Sequence, residues 1–132
     1  MKLFLDASAI VAMLREEEDA LDLARRMDAA DQLLWSPISC WESVVALARA
    51  PDITPALARA VVLAFGARYA IDTIMIGDAE LAAAVDAADR YGKRSGHPAQ
   101  LNMGDCFAYA CARVAGARLL YKGNDFSQTD IA

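Results

Sequence analysis

The sequence is poor in the residues that bind soft metals or cross-link small domains. Its 132 residues include one histidine and three cysteines, Cys40, Cys106 and Cys111. The cysteines lie in apolar segments without the spacing of metal ligands, which argues against a zinc ribbon or a disulfide framework. We expect buried, reduced thiols and a cytoplasmic protein, because intracellular compartments keep thiols reduced.

Long apolar runs and an excess of basic residues are also missing. The uninterrupted apolar run at residues 60–65 is far shorter than the ~20 residues that span a bilayer. No basic region followed by a long apolar stretch opens the chain, so we expect neither a signal peptide nor a membrane partner. The formal net charge of −5 argues against a protein that coats nucleic acid nonspecifically. It is compatible with an enzyme that gathers acidic residues in one site.

What the sequence has instead is apolar helix formers and short apolar runs. Hydrophobic residues make up 57% of the chain, and many are alanine, the strongest helix former. Runs at residues 1–5, 32–35 and 118–121 predict buried strands, and residues 69–76 predict a weaker one. Helical segments lie between these strands. The length and the alternation predict one domain over residues 1–132, with a parallel sheet and helices on both faces.

Periodicity predicts which faces of two early helices are buried. In the helix at residues 20–30, we expect four apolar side chains to point inward, namely Leu21, Leu23, Ala24 and Met27. The helix at residues 38–50 has an apolar stripe at helical spacing, formed by Ile38, Trp41, Val45 and Ala48. Glu42 lies one position from that stripe among apolar neighbours, which predicts a half-buried carboxylate.

Asp105 stands in the first turn of a helix that is otherwise almost wholly apolar. Asn102 is a good N-cap three residues earlier, so the pair has the spacing of a capping box. Asp105 therefore either complements the helix dipole or holds a cation. Ser8 is predicted in the same way to cap the helix at residues 9–14.

Four carboxylates occur at comparable places. Asp6 and Asp125 each follow an apolar strand, Asp105 opens a helix, and Glu42 lies beside packing residues. The carboxyl ends of parallel strands share one edge of a sheet, so these groups are predicted to converge. Two carboxylates about 4 Å apart repel by roughly 4 kcal/mol at an effective dielectric near 20. Such a cluster needs a cation or protons, and oxygen ligands without Cys or His favour Mg²⁺, or Mn²⁺, over Zn²⁺.

The chain resembles the PIN-domain ribonucleases of the VapC toxin type. The resemblance rests on LDASAI at residues 5–10, SPISCWE at 36–42, HPAQLNMGD at 97–105 and YKGNDF at 121–126. It implies a PIN fold of the α/β class, with three α/β/α layers around a parallel sheet of four or five short strands. It also implies an Mg²⁺-dependent endoribonuclease, a cognate VapB-type antitoxin that blocks the site, and a homodimer.

The resemblance also assigns roles to residues. Asp6 and Asp105 would be the principal metal ligands, and Glu42 and Asp125 would complete the acidic pocket. A further set would hydrogen-bond to these ligands or to substrate, namely Ser8, Asn124 and Thr129. Four basic side chains near the motifs are either RNA contacts or ordinary surface charges, namely Arg49, Lys93, Arg94 and Lys122.

Other readings of the acidic residues are weaker. A phosphatase of the haloacid dehalogenase type needs a second aspartate two positions after the first, where this chain has Ser8. A response-regulator receiver domain needs adjacent acids after an early strand, and Asp6 has no acidic neighbour. The remaining alternative is an inactive PIN domain that only binds protein or RNA.

Overall fold

A computed structural model describes all residues 1–132 as four strands and six helices, with two helices between each strand and the next. The strands are β1 (Lys2–Leu5), β2 (Gln32–Trp35), β3 (Asp72–Thr73) and β4 (Arg118–Leu120). The helices are α1 (Ala7–Leu14), α2 (Ala20–Asp28), α3 (Pro37–Leu47), α4 (Pro55–Arg68), α5 (Asp78–Tyr91) and α6 (Met103–Ala115).

The four strands form one parallel sheet in the order β3-β2-β1-β4. The predicted parallel α/β fold is therefore confirmed, with four strands. Strand β3 is much shorter than the predicted strand at residues 69–76. Helix α4 is capped by Tyr69, and Ala70 adopts a left-handed φ of 52°, so an extended strand cannot begin there.

Strands β1 and β4 send alternate side chains into two separate cores. Leu3 and Leu5 of β1 pack with α1 to α4 on one face, whereas Phe4 packs with α5 and α6 on the other. In β4, Leu120 and Leu119 divide between the two faces in the same way. Because successive side chains of a strand point in opposite directions, short apolar runs support helices on both faces.

The buried face of α3 differs from the predicted one. Trp41 is 63% exposed and Val45 is 38% exposed, so these two members of the predicted stripe do not face the core, although Ala48 packs against it. The buried side is formed instead by Ser39, Ser43, Val44 and Leu47. Small polar residues can be buried here because the Ser43 hydroxyl donates to the Ser39 carbonyl over 2.8 Å.

Helix α2 confirms only part of its prediction. Leu23 and Met27 are buried, at 3% and 2% exposure. Leu21 is 63% exposed. Residues two apart on a helix lie on nearly opposite sides, so Leu21 cannot share a face with Leu23.

All three cysteines are free, with Cys106 and Cys111 buried and Cys40 partly exposed. No helix in the structure is both long enough and apolar enough to cross a bilayer.

Candidate active site

Asp6 lies where β1 passes into α1. It is 5% exposed and is the N-cap of α1. Its Oδ2 accepts hydrogen bonds from the backbone N–H of Ser8 over 3.0 Å and from the Ser8 hydroxyl over 2.6 Å. The prediction that Ser8 caps this helix is therefore wrong, because the strand places the aspartate at the capping position first. Ser8 instead fixes the orientation of the Asp6 carboxylate.

Ser8 also joins the end of β1 to the segment that follows β4. Its hydroxyl oxygen accepts a hydrogen bond of 3.0 Å from the backbone N–H of Lys122. The neighbouring N–H of Asp6 donates to the Leu120 carbonyl, also over 3.0 Å. The carboxyl ends of β1 and β4 are thus tied together, which brings the segment containing Asp125 toward Asp6.

Asp105 and Asn102 form the predicted capping box at the start of α6. The Asn102 Oδ1 accepts from the Asp105 N–H over 2.9 Å, and the Asp105 Oδ2 accepts from the Asn102 N–H over 3.1 Å. Asp105 is 8% exposed. The cap uses only Oδ2, so Oδ1 stays available to a further partner. The capping and cation-binding interpretations are therefore compatible.

Glu42 reaches the first turn of α6 from α3. A Cβ atom added at Gly104 would collide with the Glu42 carboxylate, so the glycine provides the space that this carboxylate occupies. Glu42 is intermediate in exposure, as the sequence predicted. Its burial comes from contact with α6 rather than from Trp41 and Val45, which face outward.

The electrostatics of the acidic side chains show that they share one environment. Burial, reinforced by repulsion from Asp6 and Asp105, raises the pKa of Glu42 to about 7. Burial also raises the pKa of Asp105 to about 6, with added repulsion from Asp6 and Asp125 and an opposing hydrogen bond from Asn102. The pKa of Asp6 is raised, mainly by burial and in part by the charge of Asp125.

These carboxylates do not form a closed ligand cage. No three acidic, His or Cys side chains are close enough together to hold a metal ion as placed. Asp125 is exposed on the turn after β4, whereas Asp6 and Asp105 are buried. The donor set nevertheless fits a divalent cation in kind and charge: it contains only carboxylate oxygens, and a cation would relieve both burial and repulsion.

The residues predicted to support the acids are placed in different ways. Ser8 contacts Asp6 directly. The Thr129 hydroxyl donates to the Phe126 carbonyl over 2.8 Å, so it stabilises the C-terminal turn and bonds to none of the acids. Asn124 is exposed, and its carbonyl accepts from Ser127 over 2.7 Å. A role for the Asn124 side chain in the site stays a prediction.

The basic residues near the site also differ in their surroundings. Lys93 lowers the pKa of Asp105 by its charge, in opposition to burial, so its ammonium acts on the acidic cluster. The Lys122 ammonium is paired with Glu17 over 2.9 Å and with Asp19 over 3.3 Å. Two members of the acidic run at residues 16–19 therefore hold the segment after β4.

A groove of about 560 Å³ runs from Glu42 along α1 and α3. Its walls include Trp41, Arg15 and Arg49. Arg15 was missed from the sequence, and so was the space that Gly104 provides for Glu42. A glycine within the first turn of a helix and directly before an acid is poorly explained by helix propensity, and that was the available signal.

Comparisons with known proteins agree with this geometry. The family model described as PIN domain matches residues 3–132. A VapC ribonuclease of Rhizobium meliloti is 43% identical over 97% of this chain and 98% of its own length. Ribonuclease VapC28 of Mycobacterium tuberculosis is 38% identical over 98% and 95%.

A solved structure agrees at the level of the fold. The crystal structure of Mycobacterium tuberculosis VapC20, a toxin that cleaves the sarcin–ricin loop, superposes with a TM-score of 0.71. It is 18% identical, and the match covers 98% of this chain and 96% of that one. The chain belongs to the PIN-domain family and, within it, to the VapC ribonucleases.

Proposed function

We propose that this chain is the toxin of a type II toxin–antitoxin pair and hydrolyses RNA phosphodiester bonds at its acidic site with Mg²⁺, or with Mn²⁺ as the alternative ion. The observation that carries the proposal is the electrostatic coupling of Asp6, Glu42, Asp105 and Asp125. Relatives that match over nearly the whole chain are VapC ribonucleases, which supports RNA as the substrate.

The side chains divide into ligands and groups that hold them. Asp6 and Asp105 are the principal ligands that we propose, because both are buried and their Oδ2 atoms are fixed by hydrogen bonds. Glu42 and Asp125 would complete the pocket from α3 and from the turn after β4. When bound, a divalent cation polarises a phosphoryl oxygen and lowers the pKa of a bound water.

Positive charge beside the acids would position the phosphate backbone of RNA. Lys93 acts on Asp105 from one side. Arg15 and Arg49 line the groove that begins at Glu42 on another side. A phosphate approaching the acidic cluster is thus flanked by cations, which offsets the repulsion expected from a chain of net charge −5.

The VapC relatives imply a cognate VapB-type antitoxin, and the groove beside Glu42 is where we place it. Its exposed Trp41 and Val45 offer apolar contacts next to the acidic site. An antitoxin segment seated there would cover Glu42, and a basic side chain on it would neutralise the carboxylates. Trp41 also lines a second groove of about 500 Å³ between α3 and α4, so a longer segment could continue across it.

We also propose a homodimer and a cytoplasmic location. Large apolar side chains are exposed on α5 and at the start of α6, namely Leu81, Val85 and Met103. Together with Phe107 they line a groove of about 670 Å³. Contiguous apolar surface of this kind is usually covered by a partner. Light scattering on the purified chain checks the dimer.

Cleavage of RNA by the purified chain, with and without Mg²⁺, tests the proposed function. We expect cleavage in Mg²⁺, loss of cleavage when EDTA removes the ion, and recovery when Mg²⁺ is restored. The products should carry 5′-phosphate ends. Mapping these ends across total RNA would also locate the cleavage sites. A chain that binds RNA or antitoxin but cuts no RNA in any divalent cation would instead be an inactive binding module.

A further inference from the structure

A hydrogen-bonded cluster outside the acidic site holds the C-terminal turn in place. The Tyr109 hydroxyl of α6 donates to the Asp130 Oδ1 over 2.7 Å. The Asp130 Oδ2 accepts from Arg90 over 3.3 Å and lies 3.5 Å from Arg113. The backbone N–H of Asp130 donates to the Tyr91 hydroxyl over 3.3 Å. We call these residues the tail anchor: Arg90, Tyr91, Tyr109, Arg113 and Asp130.

The tail anchor is stronger than an ordinary surface contact. Tyr109 is 2% exposed and Tyr91 is 7% exposed, so the hydroxyls sit at the rim of the core. The Tyr109 hydroxyl, together with Arg90 and Arg113, lowers the pKa of Asp130, which keeps this carboxylate charged. Hydrogen bonds to an ionised acceptor are stronger than neutral ones.

Asp125 lies between this anchor and a second fixed point. On one side of it, the Lys122 N–H is bound to Ser8, and the Lys122 ammonium is paired with Glu17. On the other side, Phe126 is 1% exposed and packs with Tyr121 at a ring separation of 5.1 Å. Asp125 itself is exposed and its side chain makes no hydrogen bond, so its position depends on how the segments on either side of it are held.

Hydrogen bonds within the C-terminal turn connect the segment around Asp125 to Asp130. The Thr129 N–H and hydroxyl both donate to the Phe126 carbonyl, over 3.0 and 2.8 Å. The Ser127 N–H donates to the Asn124 carbonyl over 3.1 Å. Two overlapping turns therefore link Asn124 to Thr129, and fixing the adjacent Asp130 limits where Asp125 can go.

We propose that Tyr109 and Asp130 are positioning residues that hold Asp125 against the acidic cluster. The proposal rests on the function proposed above for that cluster. Neither residue hydrogen-bonds to Asp6, Asp105 or Asp125. Their effect passes through the C-terminal turn, which is also held by the burial of Phe126 and by the hydrogen bond between Lys122 and Ser8.

A double-mutant cycle between the tail anchor and Asp125 tests the proposal in the full-length chain. The variants are Tyr109→Phe, Asp130→Asn and Asp125→Asn, with each anchor variant also combined with Asp125→Asn. Asp86→Asn is the matched control, because Asp86 pairs with Arg90 over 3.4 Å but does not contact the tail. For every protein we would measure kcat and KM for RNA, apparent Mn²⁺ affinity by electron paramagnetic resonance, and the unfolding midpoint.

We expect each anchor variant to lower kcat and Mn²⁺ affinity by about tenfold, the size of effect seen when groups supporting metal ligands are removed. KM for RNA should stay within about twofold, and the Asp86→Asn control should match the wild type. In the Asp125→Asn background the anchor variants should cause no further loss. Tyr109→Phe removes a single hydroxyl, so this variant can test the proposal on its own if Asp130→Asn fails to fold.

Effects of the anchor variants that are as large with Asp125→Asn as without it would overturn the proposal. So would folded anchor variants with wild-type kcat and Mn²⁺ affinity. If the wild-type chain cuts no RNA, the proposed function fails separately, and the cycle is then read from Mn²⁺ affinity. A wild-type chain that also binds no Mn²⁺ has no site for the anchor to serve, which likewise overturns the proposal.

Discussion

The Asp105 carboxylate has two roles at once, one in a helix cap and one in the acidic cluster. Its Oδ2 completes the capping box with Asn102, and its charge acts on Asp6 and Glu42. The spacing of Asn102 and Asp105 was enough to predict the cap from the sequence. It could not decide between cap and ligand, because that choice depends on carboxylates from other parts of the chain.

Replacing Asp105 by Asn separates these two roles. Asparagine can still accept the Asn102 N–H, so the cap should persist and the unfolding midpoint should stay near that of the wild type. The lost charge should reduce RNA cleavage by at least about a hundredfold, as expected for a metal ligand rather than a supporting group. Cleavage assays and thermal unfolding of the same preparations measure both effects.

Asp28→Asn is the matched control for this change. Asp28 is exposed at the end of α2, beside Gln32 at the amino end of β2, so it lies at the opposite edge of the sheet. The Asp28→Asn chain should therefore cleave RNA at the wild-type rate. An Asp105→Asn chain that cleaves RNA at the wild-type rate would show that Asp105 is a cap and no more.

Glu42 shows how a correct prediction can rest on an incorrect reason. Its half-buried state was predicted from its apolar neighbours, but Trp41 and Val45 of that stripe face solvent. The carboxylate is shielded by the first turn of α6, where Gly104 leaves room for it. A sequence pattern along one helix cannot contain that information, because the shielding group lies about sixty residues away in the chain.

At the scale of elements, the strands were easier to predict than the helix faces. Strands β1, β2 and β4 coincide with short apolar runs, because a strand covered on both sides needs apolar residues at consecutive positions. Helix α3 was oriented wrongly because hydrophobicity alone does not show that Ser39 and Ser43 can bond within the helix. The placement of the C-terminal turn could not be predicted from a local pattern, since its anchor on Tyr109 joins residues 21 positions apart.

The contact between α3 and α6 predicts the effect of Gly104→Ala. The added methyl group would overlap the Glu42 carboxylate and push it away from the site. We expect a destabilisation of about 1–3 kcal/mol, as for overpacking, together with reduced RNA cleavage. Denaturant unfolding and cleavage assays would measure these losses.

Removing the Glu42 carboxylate provides the control. In a Glu42→Ala background, Gly104→Ala should cost much less stability, because the carboxylate that it would strike is gone. Gly77→Ala should be mild in either background, since its nearest contact would be Glu80 at 3.7 Å. An equal cost of Gly104→Ala with and without Glu42 would show that the two residues are not in contact.

On the scale of the whole molecule, the acidic site makes stability depend on pH and on cations. Burial raises the pKa of Glu42 to about 7 and that of Asp105 to about 6 in the folded chain. The metal-free folded state therefore binds protons more tightly than the unfolded chain does. This contribution to stability is fully present below the ordinary carboxyl pKa values and is lost as the pH rises through about 6 to 7.

Thermal unfolding in EDTA between pH 5 and pH 8 should show that loss. We expect the wild-type midpoint to fall with rising pH relative to that of Glu42→Gln, which lacks one of the titrating groups. Adding Mg²⁺ at pH 8 should raise the wild-type midpoint more than that of the variant, because bound ligand stabilises the folded state. Parallel pH profiles for the two proteins would contradict the coupling of Glu42 to the cluster.

Mn²⁺ titration of the full-length chain, followed by electron paramagnetic resonance at neutral pH, asks most directly whether the four carboxylates form one cation site. The wild-type chain should bind Mn²⁺. Asp105→Asn and Glu42→Gln should each weaken binding by at least about tenfold, and Asp28→Asn should leave it unchanged. Absence of Mn²⁺ binding by the wild-type chain, or equal affinity in all four proteins, would show that these carboxylates do not act together on a metal ion.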